Sequence, residues 1–141
     1  MEEVENARTK HQIAILGYVL MPSHVHFVLY PPDGLELGRV IGDIKSYSAK
    51  RILERWKQVN HPMLPVLRIK RDGWLKYAFW QRRCYDHNCR TIESVREIIR
   101  YCHMNPVKAG LVSDASDWIW SSNNWYLNCG EIALEIDGIE L

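Results

Sequence analysis

The sequence predicts an α+β domain built on an antiparallel sheet, and three observations carry that reading. Two short apolar runs rich in β-formers follow one another near the start, a long stretch of helical period comes next, and a further strand and helix follow it. The chain has 141 residues, 47% of them hydrophobic and 25% charged, which suits one globular domain with a buried core.

Residues 13–20 (Ile-Ala-Ile-Leu-Gly-Tyr-Val-Leu) read as a buried strand. Met21-Pro22-Ser23 breaks it. Residues 24–30 (His-Val-His-Phe-Val-Leu-Tyr) read as a second strand, ended by Pro31-Pro32-Asp33-Gly34. Over residues 35–56 the period becomes helical. Leu37, Ile41, Ile44, Ser48 and Ile52 mark one face, and Lys45, Lys50, Arg51 and Arg55 fall between them. Residues 57–65 hold two prolines and form a loop. Residues 66–69 suit a strand, Arg71-Asp72-Gly73 a turn, and residues 78–85 a further, exposed strand. Thr91, with Ser94 as competitor, caps a helix over residues 94–104 whose core face is Val95, Ile98, Ile99 and Cys102. Asn105-Pro106 interrupts that helix, because the residue before proline avoids the α region. A short turn then stops at Gly110. Trp118, Trp120, Trp125 and Tyr126 belong to a segment expected to pack back on the domain.

The net charge of +1 conceals a strong asymmetry. Residues 1–38 sum to −3, residues 39–108 to +10 and residues 109–141 to −6. A basic middle between acidic ends suits a phosphate backbone, and equally a solvated surface. Six Trp and seven Tyr offer stacking platforms for unpaired bases, although most should be core. Cys84, Cys89, Cys102 and Cys129 form no Cys-x-x-Cys pair and no zinc-finger spacing. They read as reduced thiols, mainly small core residues, of a cytoplasmic protein. No apolar run is long enough to span a membrane, and no basic segment precedes an apolar one as in a signal peptide.

His24-Val25-His26 is the sharpest chemical feature. Side chains two apart on a strand share a face, so both imidazoles can converge on one divalent ion. The same spacing also suits two strand histidines that are solvated or hydrogen-bonded. Tyr101 lies at the edge of a helical stripe with Asn105 four residues on, on the same face. From spacing alone, Tyr101 reads as an amphipathic boundary residue and Asn105 as an N-cap before Pro106.

Four segments in order resemble the REP-associated tyrosine transposases and their single-tyrosine HUH insertion-sequence relatives. They are residues 18–27 (Tyr-Val-Leu-Met-Pro-Ser-His-Val-His-Phe), 41–48 (Ile-Gly-Asp-Ile-Lys-Ser-Tyr-Ser), 79–87 (Phe-Trp-Gln-Arg-Arg-Cys-Tyr-Asp-His) and 99–112 (Ile-Arg-Tyr-Cys-His-Met-Asn-Pro-Val-Lys-Ala-Gly-Leu-Val). Residues 117–122 (Asp-Trp-Ile-Trp-Ser-Ser) follow them. The resemblance implies a ferredoxin-like antiparallel sheet with helices on one face, spanning residues 1–126, and an acidic tail over 127–141. Such proteins carry a strand and a helix ahead of the strand at 13–20. Here twelve mostly polar residues precede it, so that strand and helix are expected to be missing.

The resemblance also implies roles. His24 and His26 match the metal-binding histidines, Tyr101 the nucleophile, and Asn105 the place of a third polar ligand, with Mg2+ or Mn2+ as the ion. The implied reaction is cleavage and strand transfer of single-stranded or hairpin DNA through a 5′-phosphotyrosine. A free tyrosine is mostly protonated at neutral pH, with a pKa of about 10, so the nucleophile needs activation. Lys45, Lys50, Arg51, Arg55, Arg82, Arg83 and Arg90 are the candidate phosphate contacts, which position DNA without specifying it. Relatives are often dimers, so a homodimer is an expected assembly. Two other readings stand beside this one: a DNA-binding remnant without catalysis, and a metal-dependent phosphodiesterase that uses water.

Overall fold

The computed structural model describes residues 1–141 as two compact units. The first comprises residues 1–35 and 88–141, and the second residues 36–87. No helix is long and apolar enough to cross a membrane.

In the first unit, helix α1 (Glu2–His11) leads into strands β1 (Ala14–Leu20) and β2 (Val25–Tyr30), which pair antiparallel with Tyr18 opposite Phe27 and Val19 opposite His26. A strand and a helix were both expected to be missing ahead of β1; helix α1 stands there, and no strand precedes β1. Glu2, Glu3 and Glu5 in its first turn and Arg8, Lys10 and His11 in its last complement the helix dipole, while Val4 and Ala7, three apart, are buried. A register shift between Ile15 and Gly17 bends β1. At Gly17 a Cβ would stand 3.1 Å from Ile99 Cγ1, so glycine permits the close approach of the helix that carries Ile99.

That helix, α3 (Ile92–Lys108), opens with a reciprocal cap: Ser94 N–H donates to Thr91 Oγ1 and Thr91 N–H to Ser94 Oγ. The expected break at Asn105-Pro106 does not occur. Pro106 lies inside the helix and fully buried, two residues before its end. The proline therefore forgoes one hydrogen bond in a last turn held by tertiary packing. The end itself is a left-handed glycine stop, with Gly110 at φ 69°, its N–H bonded to Val107 O, and Leu111 N–H bonded to Pro106 O.

The other edge of β1 is covered by the C-terminal segment. Leu20 N–H donates to Trp120 O, Ser122 N–H to Tyr18 O, and Asp137 N–H to Ile15 O. Ile15 N–H donates to Asp137 Oδ2, and Trp118 Nε1 and Tyr126 Oη donate to Leu20 O and Leu16 O. The tryptophan-rich segment thus packs back as expected. Residues past 127 join it, with Leu134 and Ile136 buried and Asp137 ion-paired to Arg8 at 2.9 Å. Since the backbone of Tyr18 and Leu20 faces this segment, the opposing Phe27 and Val25 turn their own backbone groups away from β1.

In the second unit, helix α2 (Leu37–Gln58) is followed by a hairpin of strands β3 (Arg68–Arg71) and β4 (Trp74–Tyr77). Asp72 and Gly73 both take positive φ, 53° and 78°, the geometry of a two-residue turn matched to strand twist. The strand expected at residues 78–85 is instead irregular, and β4 lies earlier, immediately after the Asp-Gly turn. The two strand pairs form separate antiparallel sheets. The four cysteines are unpaired; only Cys102 is buried, while Cys84 and Cys129 are exposed and Cys89 half-buried, against the expectation of core residues. The exposed pair lie in irregular stretches outside helix and strand, away from any packed face.

His103, only 6% exposed, ties α3 to this framework. Its Nε2 lies 2.9 Å from Ser122 Oγ, which also accepts from Tyr18 N–H at 3.0 Å and donates to Tyr18 O at 3.3 Å. With Nε2 as donor, the hydroxyl makes its full complement of one donated and two accepted bonds. Burial lowers the His103 pKa to about 4, so the folded state holds it neutral. The unfolded chain takes up a proton as pH falls below the ordinary 6.5, whereas the folded chain does so only near 4. Stability present above 6.5 should therefore be lost between 6.5 and 4, by up to about 3 kcal/mol. Urea unfolding at pH 7 and pH 4.5 checks this. The loss should be smaller in His103→Gln, and an equal loss in both proteins would discount the histidine.

Candidate active site

The residues singled out for chemistry in the first unit come together. His26 is the second residue of β2 and His24 immediately precedes the strand. Their ring centroids are 5.0 Å apart at an interplanar angle of 87°. Tyr101 sits in the middle of α3, which lies on β1 and β2, and its ring centroid is 5.7 Å from that of His26 at 82°. Strand periodicity supplies the two imidazoles, and helix packing sets the phenol beside them.

Each side chain has a supporting contact. His24 Nδ1 is 3.1 Å from Ser23 Oγ; the tautomer that donates there leaves the Nε2 lone pair for a cation. The His26 pKa is lowered, first by burial and then by the neighbouring His24. Both effects favour neutral imidazole, the form that ligates metal. Tyr101 is 45% exposed, open to a substrate, and the Lys108 ammonium lies 5.0 Å from its ring centroid. Asn105 Nδ2 donates to Tyr101 O at 2.9 Å, which leaves the amide oxygen as the atom a cation can use. The donor set fits a divalent ion held by two nitrogens. No group of three His, Cys, Asp or Glu side chains gathers here, so further ligands would come from Asn105, water or a phosphate.

The charge asymmetry maps onto the two units. The first carries six basic and twelve acidic residues, net −6, and the second twelve basic and five acidic, net +7. The phosphate-contact candidates Lys45, Lys50, Arg51, Arg55, Arg82 and Arg83 all lie in the second, and Arg90 in the first. Lys50, Arg51, Arg55, Arg82, Arg83 and Arg90 are exposed. Lys45 is half-buried and donates to the backbone carbonyls of Gln81 and Arg82, bracing the loop after β4. Trp80 Nε1 donates to Ser48 Oγ, and Phe79 packs edge-on against Trp56 and Trp80. These rings are structural rather than open stacking platforms. A cleft of about 500 Å3 in this unit is lined by Lys45, Lys70, Arg71, Lys76 and Arg82 among others. The hairpin cations of that cleft were not singled out in the sequence, where an Arg-x-Lys-Arg run before Asp-Gly was their only signal. His103 and Ser122 were also missed as site supports. Only the quoted Ser-Ser segment and the helix stripe hinted at them.

The family described as "Transposase IS200 like" matches residues 2–105. The REP-associated tyrosine transposase of Escherichia coli (strain K12) is 27% identical over 108 residues, covering 77% of this chain and 53% of that protein. A putative REP-associated tyrosine transposase of Haemophilus influenzae (strain ATCC 51907 / DSM 11121 / KW20 / Rd) is 25% identical over 104 residues, covering 73% and 54%. The chain thus spans about half the length of the curated relatives it matches. Among solved structures, a REP-associated tyrosine transposase bound to a REP hairpin superposes with a TM-score of 0.65 at 20% identity, covering 99% of this chain and 72% of that one. The fold is shared with that protein.

In metal-free protein, His26 should titrate below 6.5 in an NMR pH series. His24→Gln should return the midpoint only part of the way, since the neighbour's charge is the smaller of the two causes. A midpoint at or above 6.5 in the unaltered protein would contradict this packing.

Proposed function

The chain belongs to the IS200-like transposase family, and from that premise we propose that it cleaves and rejoins single-stranded DNA beside a hairpin, with Tyr101 as nucleophile. The observation that carries the reading is the meeting of His24, His26 and Tyr101, with ring centroids 5.0 Å and 5.7 Å apart along the series. The relatives named as tyrosine transposases, and the neighbouring fold bound to a REP hairpin, support the substrate class.

His24 and His26, with the oxygen of Asn105, are the residues that would hold Mg2+ or Mn2+. Polarisation of the scissile phosphate is the chemistry such an ion supplies when bound. The Tyr101 Oη attacks phosphorus in line; a new P–O bond forms to the phenol as the P–O3′ bond breaks. The DNA leaves with a 3′-OH, which takes up a proton as the phenol loses one, and the 5′-phosphate stays on Tyr101. Lys108, over the ring, is placed to offset negative charge building on the phenol. One phosphodiester replaces another, so a second 3′-OH can reverse the step and complete transfer without an external energy source. The free backbone groups of β2 at Val25 and Phe27 favour assembly as a homodimer.

Incubation of the protein with a labelled hairpin oligonucleotide and Mn2+, followed by a denaturing gel, should reveal a protein–DNA adduct. Tyr101→Phe and chelation should each abolish it. Cleavage that survives Tyr101→Phe without an adduct would favour hydrolysis by water. Binding without cleavage in the folded protein would make the chain a DNA-binding module.

A further inference from the structure

The β3–β4 hairpin leaves most of both faces open to solvent, with only Tyr77 half-buried and met by the Lys57 ammonium. All four residues of β3 are exposed, as are Trp74, Leu75 and Lys76 of β4, and Trp74 is 73% exposed. A two-stranded ribbon that rested on a core would bury one face. The pairing register places Ile69, Arg71, Trp74 and Lys76 on one face, and Arg68, Lys70, Leu75 and Tyr77 on the other. Each face therefore carries two cations. Asp72 is the one acidic residue in the hairpin, within 3.6 Å of Lys76 and 3.9 Å of Arg71, and such exposed pairs neutralise little.

We infer that this hairpin is a ribbon that enters a groove of duplex DNA, with the cations of its two faces meeting the phosphates on the two walls. A surface lying along a single phosphate rail needs cations on one face only, and here they are divided evenly. Four residues of strand extend about 13 Å, and the major groove, about 12 Å wide, admits a two-stranded ribbon. The Asp72-Gly73 turn gives the ribbon a narrow tip. Its one open aromatic ring, Trp74, follows that turn, whereas Phe79 and Trp80 are committed to contacts within the unit. The hairpin thus fits paired DNA better than a run of unpaired bases, each of which would need its own stacking surface. The inference rests on the proposed action at hairpin DNA and assigns the duplex stem of that substrate to residues 68–77.

The test is fluorescence anisotropy with the full chain over a salt series, on a labelled DNA stem-loop and on an unstructured strand of equal length. Arg71→Ala with Lys76→Ala removes the cations of one face, and Arg68→Ala with Lys70→Ala those of the other. Each pair should weaken stem-loop binding about tenfold or more and lower the salt slope by about two. Binding of the unstructured strand should change less than about twofold. Circular dichroism should show the fold intact, because all four side chains are exposed. An unchanged slope in either pair, or an equal loss on the unstructured strand, would overturn the ribbon and leave action at hairpin DNA standing. Failure of the unaltered protein to bind the stem-loop at low salt would overturn both.

Discussion

One hydroxyl joins the helix that carries Tyr101 to the sheet that carries His26. Ser122 Oγ bridges the backbone of Tyr18 in β1 and the buried ring of His103 in α3. Tyr101 is two residues before His103 on that helix, on its outer side, and His26 lies opposite Val19 on the strand paired with β1. The Tyr101–His26 distance is therefore set through β1, Ser122 and α3. Ile99, fully buried over Gly17, fixes the same spacing through packing. A bond made by a buried, fully satisfied hydroxyl resists the shifts of about 1 Å that degrade in-line attack.

The same C-terminal segment solves a second problem. A two-stranded sheet is marginal by itself, and β1 would present an open edge on the side away from β2. Residues 120–122 and Asp137 take up that edge with main-chain and carboxylate hydrogen bonds, while Leu134 and Ile136 add apolar burial. The acidic tail is thereby part of the domain that holds the site. Its negative charge also has a use in the chemistry proposed. A unit of net −6 attracts a divalent cation more readily than a polyanion, and the unit of net +7 carries the cations suited to phosphate.

Local rules were enough where one residue type dictated the outcome. The two histidines in an alternating strand, the Thr91 cap with Ser94 three residues on, the Gly110 stop and the turn at Asp72-Gly73 could all be read directly. Errors arose where tertiary packing outweighed a local preference. Pro106 stays within α3 because burial and the neighbouring contacts outweigh one lost hydrogen bond. Helix α1 has few apolar residues, and its Val4 and Ala7 are too sparse a stripe to stand out from a polar segment. β4 was displaced because Trp74 to Tyr77 offers four residues with no buried face, so no alternation marks it. His103 could not be identified because its partner stands nineteen residues away, beyond a chain reversal.

The placement of Tyr101 on a helix, rather than on a loop, bears on how the chemistry is reversed. A transesterification that stores its energy in a phosphotyrosine needs the phenol to return to one position for both directions of attack. A helix capped at Thr91, stopped at Gly110 and anchored at Ile99 and His103 limits that freedom to the side chain itself. The Asn105 amide, bonded to the Tyr101 carbonyl one turn back, keeps its oxygen on the same face as the phenol. Rigid placement lowers the entropic cost of attack in both directions equally. In the proposed reaction, the direction is then left to which 3′-OH the bound DNA presents, so control of outcome would belong to the surface that holds DNA and not to Tyr101.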